Sequence, residues 1–390
     1  MKVLHVTSRM DPQCGGVVQA IHTITYALES VNISSEIVCL EEPDASYIKD
    51  NSNIHALGLG KTAWNYHPQL IAWLKENMIK YDIVIAHGMW QYHNFALYRV
   101  AKLLGWTSNR ILIMPHGMLD PYFQKAPDRR LKAIRNWFFW KLIERNIVNS
   151  SGGLLFTCEL EKKLAATTFR PYHPALTYVV GLAVTAPPPY EERMRLAFLA
   201  SSGLTPDTEY FLFLSRVHEK KGLDLLLKAY LALQKKGIEL PELVIAGPGL
   251  DTEYGQTMKE LVEGEAGIHF IGMLQGYAKW GAFYGAQAFI LPSHQENFGI
   301  AVVEALACGI PVLISDKVNI WKEIIEGSAG LVEKDTEEGI LKLLNNWLEV
   351  SNERRRHMAV RAIHVYREYF ALDGVARNMK NVLESVATDT

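Results

Sequence analysis

Short apolar runs recur along the chain, each closing on a polar or glycine-bearing tip, with amphipathic stretches between them. In the first half the runs at residues 3–6, 34–40, 81–88, 111–114 and 150–157 predict strands. Residues 17–29, 67–79 and 158–167 carry the 3.6-residue period of helices. Residues 41–62 are polar and irregular, which predicts loop with one short strand. The pattern breaks at residues 185–192, where Pro187, Pro188 and Pro189 end any helix and stiffen the chain. It restarts with strands at 210–214, 243–246, 269–272, 288–291 and 312–315, and from about residue 337 the chain is helical. Continuous apolar strands alternating with helices predict an α/β protein built on doubly wound parallel sheets. The proline break divides it into two domains, 1–185 and 186–366.

Composition narrows the class. Of 390 residues, 49% are hydrophobic and 21% charged, enough apolar material for a sizeable core. The formal net charge of −2 gives no electrostatic case for nucleic acid. Cys14, Cys39, Cys158 and Cys308 are scattered, without a C-x-x-C pair, which predicts neither a zinc site nor a disulfide framework and fits a reducing cytoplasm. The apolar run at the N-terminus is too short for a signal peptide, and no stretch approaches the ~18 apolar residues of a membrane span.

Residues 293–312 hold the densest chemistry. Glu296 stands on a loop, and the turn Asn297-Phe298-Gly299 follows. Residues 300–307 then form an apolar helix that carries one carboxylate, Glu304, and Gly309 and Pro311 stop it. A helix that opens on Gly299 presents N–H groups and the positive end of its dipole, which suits a phosphate. Glu304 in an apolar helix requires a partner. Further candidates lie at predicted strand ends, where function gathers in open α/β sheets. These are Gly15 and Gly16, His87, His116, the pair Arg216 and Lys221, Gly247 of a Gly-Pro-Gly turn, and Met273 and Leu274. An Arg and a Lys five residues apart can hold two phosphates between them. Without further context, Gly15 and Gly16 are a tight turn, a lone histidine is structural, and residues 216–221 are a solvated charge run.

The order Gly-rich loop, His-Gly, Arg…Lys, Gly-Pro-Gly, Glu296-x7-Glu304 resembles retaining glycosyltransferases of the GT-B fold, group 1 or family 4. The resemblance covers essentially the whole chain. It implies two Rossmann-like domains facing each other across a cleft, with residues from about 367 to 390 crossing back onto the first. It implies a hexosyltransferase that moves a sugar, UDP-glucose being the favoured donor, from a nucleotide sugar to an acceptor hydroxyl, in bacterial polysaccharide or glycolipid synthesis. By that resemblance Arg216, Lys221 and the backbone at Phe298, Gly299 and Ile300 hold the donor diphosphate. Glu304 binds the ribose, and Gly247, Met273 and Leu274 meet the base. Glu296 lies near the hexose hydroxyls, and His116 supports the reacting sugar through a hydrogen bond or its main chain. Gly15, Gly16 and His87 line the acceptor side. The acceptor is a saccharide or a lipid-linked saccharide. No D-x-D pair occurs, which agrees with neutralisation by side chains, so no divalent metal and no cofactor is expected.

Residues 128–148 interleave Arg129, Arg130, Lys132, Arg135, Lys141 and Arg145 with Leu131, Ile134, Trp137, Phe138, Phe139, Trp140, Leu142 and Ile143. A core helix with a solvated basic face is the favoured reading; peripheral contact with the inner face of an anionic membrane is the other. Three other functions are carried. A GT-B-type sugar-nucleotide epimerase would act without acceptor. A non-catalytic sugar-nucleotide-binding protein would need neither His116 nor Glu296. A dehydrogenase would need a dinucleotide fingerprint that no glycine turn here supplies.

Overall fold

The computed structural model describes residues 1–49, 51–106, 108–125 and 129–388. Asp128, the first residue of the basic stretch, lies outside the described residues. The chain divides into two compact units, Met1–Ala183 with Leu372–Thr390, and Val184–Ala371.

The first unit is built on β1 (Lys2–Val6), β2 (Ser34–Cys39), β3 (Ile54–Ala56), β4 (Ile83–His87), β5 (Ile111–Met114), β6 (Gly153–Phe156) and β7 (Thr177–Val179). They form one parallel sheet in the order β3-β2-β1-β4-β5-β6-β7. Its central strands are buried from end to end, and Leu4, Val84 and Ile113 share a core with Leu97 and Trp140 from the covering helices. Helix Leu372–Thr388 packs on helix Gly16–Ser30 of this unit through an apolar face that includes Met379 and Leu383.

The second unit repeats the plan with β8 (Tyr210–Leu214), β9 (Glu242–Ala246), β10 (Ile268–Gly272), β11 (Ala288–Leu291), β12 (Val312–Ser315) and β13 (Gly330–Glu333). Its parallel order is β10-β9-β8-β11-β12-β13. The π-helical turn Tyr366–Phe370 belongs to this unit for a local reason. Val184 N–H donates to the Phe370 carbonyl at 3.0 Å, the Tyr366 hydroxyl donates to the Val184 carbonyl at 2.9 Å, and the Phe370 ring meets Phe298 edge-on at 5.5 Å.

Each sheet reverses its winding once, between β1 and β4 and between β8 and β11. At such a switch point the loops leave the strand ends in opposite directions and open a crevice. His5 and His87 lie at the first of these points and Arg216, Lys221 and Glu296 at the second, with His116, Gly247 and Met273 at the ends of flanking strands.

Several elements escaped the hydrophobic pattern. Helix Tyr92–Leu104 places His93 and Asn94 on its buried face, so polar residues interrupt its apolar stripe. Helices Glu192–Ser202, Glu253–Leu261 and Gly276–Gly285 were likewise not predicted. The basic stretch meets the favoured expectation only in part. It forms helix Arg130–Phe139, the π-helical turn Trp140–Glu144 and helix Arg145–Ser150, but Leu131 is 85% exposed and Leu142 72%, with Ile134, Trp137 and Phe138 also exposed. Trp140, Asn136 and Glu144 face inward instead. Trp140, Ile147 and Val148 do join the core, so the stretch is anchored there while its first helix keeps an apolar face exposed beside the basic one. Its apolar residues run round more of its circumference than the sheet can cover.

Candidate functional site

In the second unit the loop after β8 and the loop after β11 are fastened together. Gly222 sits at φ +67°, and a Cβ there would lie 2.1 Å from the Pro292 carbonyl oxygen, so only glycine fits. The His294 N–H donates to the Lys220 carbonyl at 2.9 Å. This approach pairs the Lys221 ammonium with the Glu296 carboxylate. The Glu296 backbone is fixed from the other side. Its N–H donates to the Lys317 carbonyl and its own carbonyl accepts from Asn319 N–H, each at 2.9 Å. Burial pushes the Glu296 carboxyl up, but Lys221, Lys220 and Arg216 together hold its pKa below the usual carboxylate range. Arg216 is itself exposed.

The Gly-Pro-Gly turn after β9 lies flush against the same loop. A Cβ on Gly247 would meet the Ser215 carbonyl oxygen at 1.8 Å. Val217 N–H donates to the Pro248 carbonyl at 2.8 Å, and Gly247 N–H to the Gly272 carbonyl at 2.7 Å. Beyond β10, Met273 is exposed while the Leu274 side chain is nearly buried, leaving Leu274 mainly its backbone to offer.

Helix Ile300–Ala307 starts from Gly299, held at φ +82°. The earliest backbone bonds back into this turn come from Val302 and Val303 N–H to the Gly299 carbonyl. The N–H groups of a helix's first turn have no intrahelical acceptor. Gly299 also lies against Glu296, since a Cβ there would stand 3.3 Å from Glu296 Cγ. One turn further on, Glu304 is buried, with one oxygen 2.6 Å from Lys279 Nζ of helix Gly276–Gly285. Burial raises the Glu304 pKa and Lys279 opposes the rise. Lys279 is a site residue that the sequence did not announce; it reaches Glu304 only through the packing of two helices.

The first unit supplies histidines. His5 Nδ1 lies 2.8 Å from His87 Nε2, and His87 Nδ1 lies 2.9 Å from His116 Nε2. The three come from neighbouring strands β1, β4 and β5 or the loop just beyond. Burial depresses all three, His5 to about 3, His116 to about 4 and His87 well below the ordinary value, so the rings are neutral at pH 7. His116 is in a left-handed conformation, φ +51°, unusual for a non-glycine residue. The strained turn is braced by Glu161, whose carboxylate accepts from Gly117 N–H at 2.6 Å and from Thr157 N–H at 2.7 Å. Gly15, at φ +83°, joins the turn Pro12–Cys14 to helix Gly16–Ser30, whose first residue is Gly16. His5, Glu161 and His93 were not singled out from sequence. A histidine inside the apolar β1 run was the one available signal.

Among the described residues no group of three His, Cys, Asp or Glu could hold a metal ion, and no helix is long and apolar enough to cross a membrane.

Comparison with known proteins agrees with this architecture. The family described as "Glycosyl transferases group 1" matches residues 195–364, and "Glycosyltransferase Family 4" matches residues 14–170. A D-inositol 3-phosphate glycosyltransferase of Nocardiopsis dassonvillei is 30% identical over 147 residues, which cover 34% of this chain and 33% of that one. A GDP-mannose-dependent alpha-(1-6)-phosphatidylinositol dimannoside mannosyltransferase of Mycobacterium tuberculosis is 27% identical over 205 residues, 52% of this chain and 50% of the other. The chain thus spans a third to a half of the length of these curated relatives. The sucrose-phosphate synthase structure from Thermosynechococcus elongatus superposes with a TM-score of 0.74 over 100% of both chains at 16% identity. The fold is GT-B, and the chain belongs to the group 1, family 4 glycosyltransferases.

Proposed function

We propose that the protein transfers a hexosyl group from a nucleotide sugar to an acceptor hydroxyl, with retention of configuration. The observation that carries this reading is the assembly after β8 and β11, where Lys221, Glu296 and the start of helix Ile300–Ala307 come together beside the loop of Arg216. Departure of a nucleoside diphosphate builds negative charge on the leaving group. Arg216, Lys221 and the N–H groups at Phe298, Gly299 and Ile300 would meet that charge with preset dipoles, the electrostatic route to rate enhancement. Because these groups supply the positive charge, the scheme requires no divalent metal. Glu304 would take the ribose hydroxyls, Gly247, Met273 and Leu274 the base, Glu296 and His116 the hexose. Gly15, Gly16 and His87 would belong to the acceptor side.

UDP-glucose is the proposed donor; GDP-mannose and other UDP-hexoses, open from the sequence already, are its competitors, and the name of one relative supports GDP-mannose among them. Calorimetry and nucleotide release with UDP-, GDP- and ADP-sugars, with and without EDTA, test the reading. Binding and slow turnover of one UDP-hexose, insensitive to EDTA, is the expected result. Conversion of the sugar nucleotide without acceptor would indicate an epimerase, and no binding of any sugar nucleotide would overturn the proposal.

The acceptor is proposed to be a saccharide carried on a lipid. Support comes from the exposed face of Leu131, Ile134, Trp137, Phe138 and Leu142, set among Arg129, Arg130, Lys132, Arg135 and Lys141. Such a face suits the headgroup region of an anionic bilayer, with apolar residues inserted and cations on phosphates. Flotation with phosphatidylglycerol vesicles should capture the protein. Arg129→Glu with Arg130→Glu should abolish capture; equal capture by phosphatidylcholine vesicles would argue against an electrostatic surface contact.

A further inference from the structure

His5, His87 and His116 form a continuous hydrogen-bonded file, and its inner end is informative. His5 is fully buried and its Nε2 has no partner. His5 and His87 are stacked with centroids 5.1 Å apart, and His87 and His116 at 5.2 Å. A neutral imidazole has one donor and one acceptor nitrogen. Two contacts between three neutral rings therefore allow two self-consistent proton arrangements. In the first, every ring is protonated on Nδ1: His5 donates to His87, His87 donates to His116, and His116 keeps an Nδ1–H to give. In the second, every ring is protonated on Nε2, the bonds run inward, and His116 offers an Nδ1 lone pair. The second leaves the His5 Nε2–H buried without an acceptor. Orphaned buried N–H groups are rarer than under-satisfied acceptors, because a stranded donor carries its full desolvation penalty. The first leaves only a lone pair unpaired.

We propose that His5 and His87 are positioning residues that fix His116 as the Nδ1–H tautomer, so that this side chain acts as a hydrogen-bond donor to its ligand and not as a base. His93 holds the file in place without joining it. Its Nε2–H donates to the His87 carbonyl at 3.0 Å, and its Nδ1 lies 2.8 Å from the Ser8 hydroxyl. The brace on Gly117 from Glu161 fixes the backbone of the outer ring. A donor at His116 suits an electronegative hydroxyl or ring oxygen of a sugar and would not take a proton from an acceptor hydroxyl. The value of that donor for transfer rests on the function proposed above; the tautomer does not.

The test is a long-range 1H–15N spectrum of the full protein labelled with 15N-histidine, free of ligand, near pH 7.5. His5, His87 and His116 should all show a protonated Nδ1 and an unprotonated Nε2. A protonated Nε2 on His116 would overturn the inference. His5→Phe should then release the file, and an Nε2–H population should appear at His116 without loss of the folded spectrum. An unchanged His116 signature in folded His5→Phe would show that the inner ring sets nothing. Should that variant fail to fold, the wild-type spectrum still decides. If sugar transfer is established, His5→Phe should lower kcat about tenfold with KM unchanged, the worth of one lost hydrogen bond in the transition state. The expected tautomers in a protein that binds no sugar nucleotide would leave the inference standing and remove only the function.

Discussion

The Lys279 ammonium stands 2.6 Å from the buried carboxylate of Glu304, and the two residues come from helices that share no motif. Burial favours the neutral acid, whereas Lys279 favours the carboxylate. A ribose diol is held best by an ionised acceptor, since charge-assisted hydrogen bonds are the stronger kind. Lys279 is therefore expected to keep Glu304 competent. Lys279→Met should weaken UDP binding about tenfold at pH 7, and the loss should shrink as pH rises and Glu304 ionises unaided. Calorimetric titration at pH 6.5 and 8.5 measures this. A loss equal at both pH values would assign Lys279 to direct ligand contact.

The pair Lys221 and Glu296 makes a different forecast, because here the carboxylate occupies the cation that the diphosphate would use. Glu296→Gln keeps the side chain's volume and releases Lys221. UDP affinity should then rise, while transfer slows if Glu296 makes the hexose contact proposed for it. Lys221→Met should slow transfer by a factor of about 10²–10³, the range seen when one preset donor to a developing anion is removed. Affinity measured by calorimetry and rates measured by nucleotide release separate the two effects. If Glu296→Gln left both unchanged, the ion pair would be only a fastening between loops.

Much of this second-unit site was legible in the sequence for a geometric reason. Arg216, Lys221, Gly247, Glu296 and Gly299 all sit just beyond strands, and apolar runs mark strand ends directly. The partners were not legible. Lys279 reaches Glu304, Glu161 reaches Gly117 and His5 reaches His87 only through tertiary packing, and none lies near its partner in sequence. Helix Tyr92–Leu104 was lost for a related reason, since the polar His93 and Asn94 face inward to serve backbone carbonyls. The basic stretch was legible only in part. Its composition favours a core helix with a solvated basic face; Trp140, Ile147 and Val148 follow that reading, whereas Leu131 and Leu142 stand exposed, a difference set by how the helix is rotated against its unit and not by its composition.

Gly222 tests whether the two loops must touch. With φ at +67° and a Cβ position 2.1 Å from the Pro292 oxygen, Gly222→Ala faces both backbone strain and a backbone clash. Strain of this kind costs about 1–3 kcal/mol before the clash is relieved. The variant should unfold at lower urea, and its UDP affinity should drop because the clash pushes the whole loop that carries Lys221 away from the start of helix Ile300–Ala307. Gly203→Ala makes the control, because Gly203 has a similar φ of +73° but nothing within 4 Å of its Cβ position. Equal destabilisation of the two variants would show that conformation alone, and not the loop contact, sets the cost.

Glu144 offers a stability measurement with a defined sign. It is buried in the first unit, its carboxylate accepts from Trp90 N–H at 2.7 Å, and burial pushes its pKa up to about 7. Below the unfolded value of 4.5 the acid is neutral in both states and costs nothing. Between 4.5 and 7 the unfolded chain ionises while the folded one does not, so stability falls as pH rises, and above 7 the full penalty of about 3 kcal/mol applies. The buried histidines act the other way. His5, His93 and His116 have folded values of about 3, 4 and 4, so they cost stability as pH falls below 6.5. Glu144→Gln isolates the carboxylate from that background, since the amide oxygen can still accept from Trp90. The variant should match the wild type in urea unfolding at pH 4.5 and exceed it by up to about 3 kcal/mol at pH 8. A difference that does not change with pH would mean that Glu144 ionises in the folded protein as readily as in the unfolded chain.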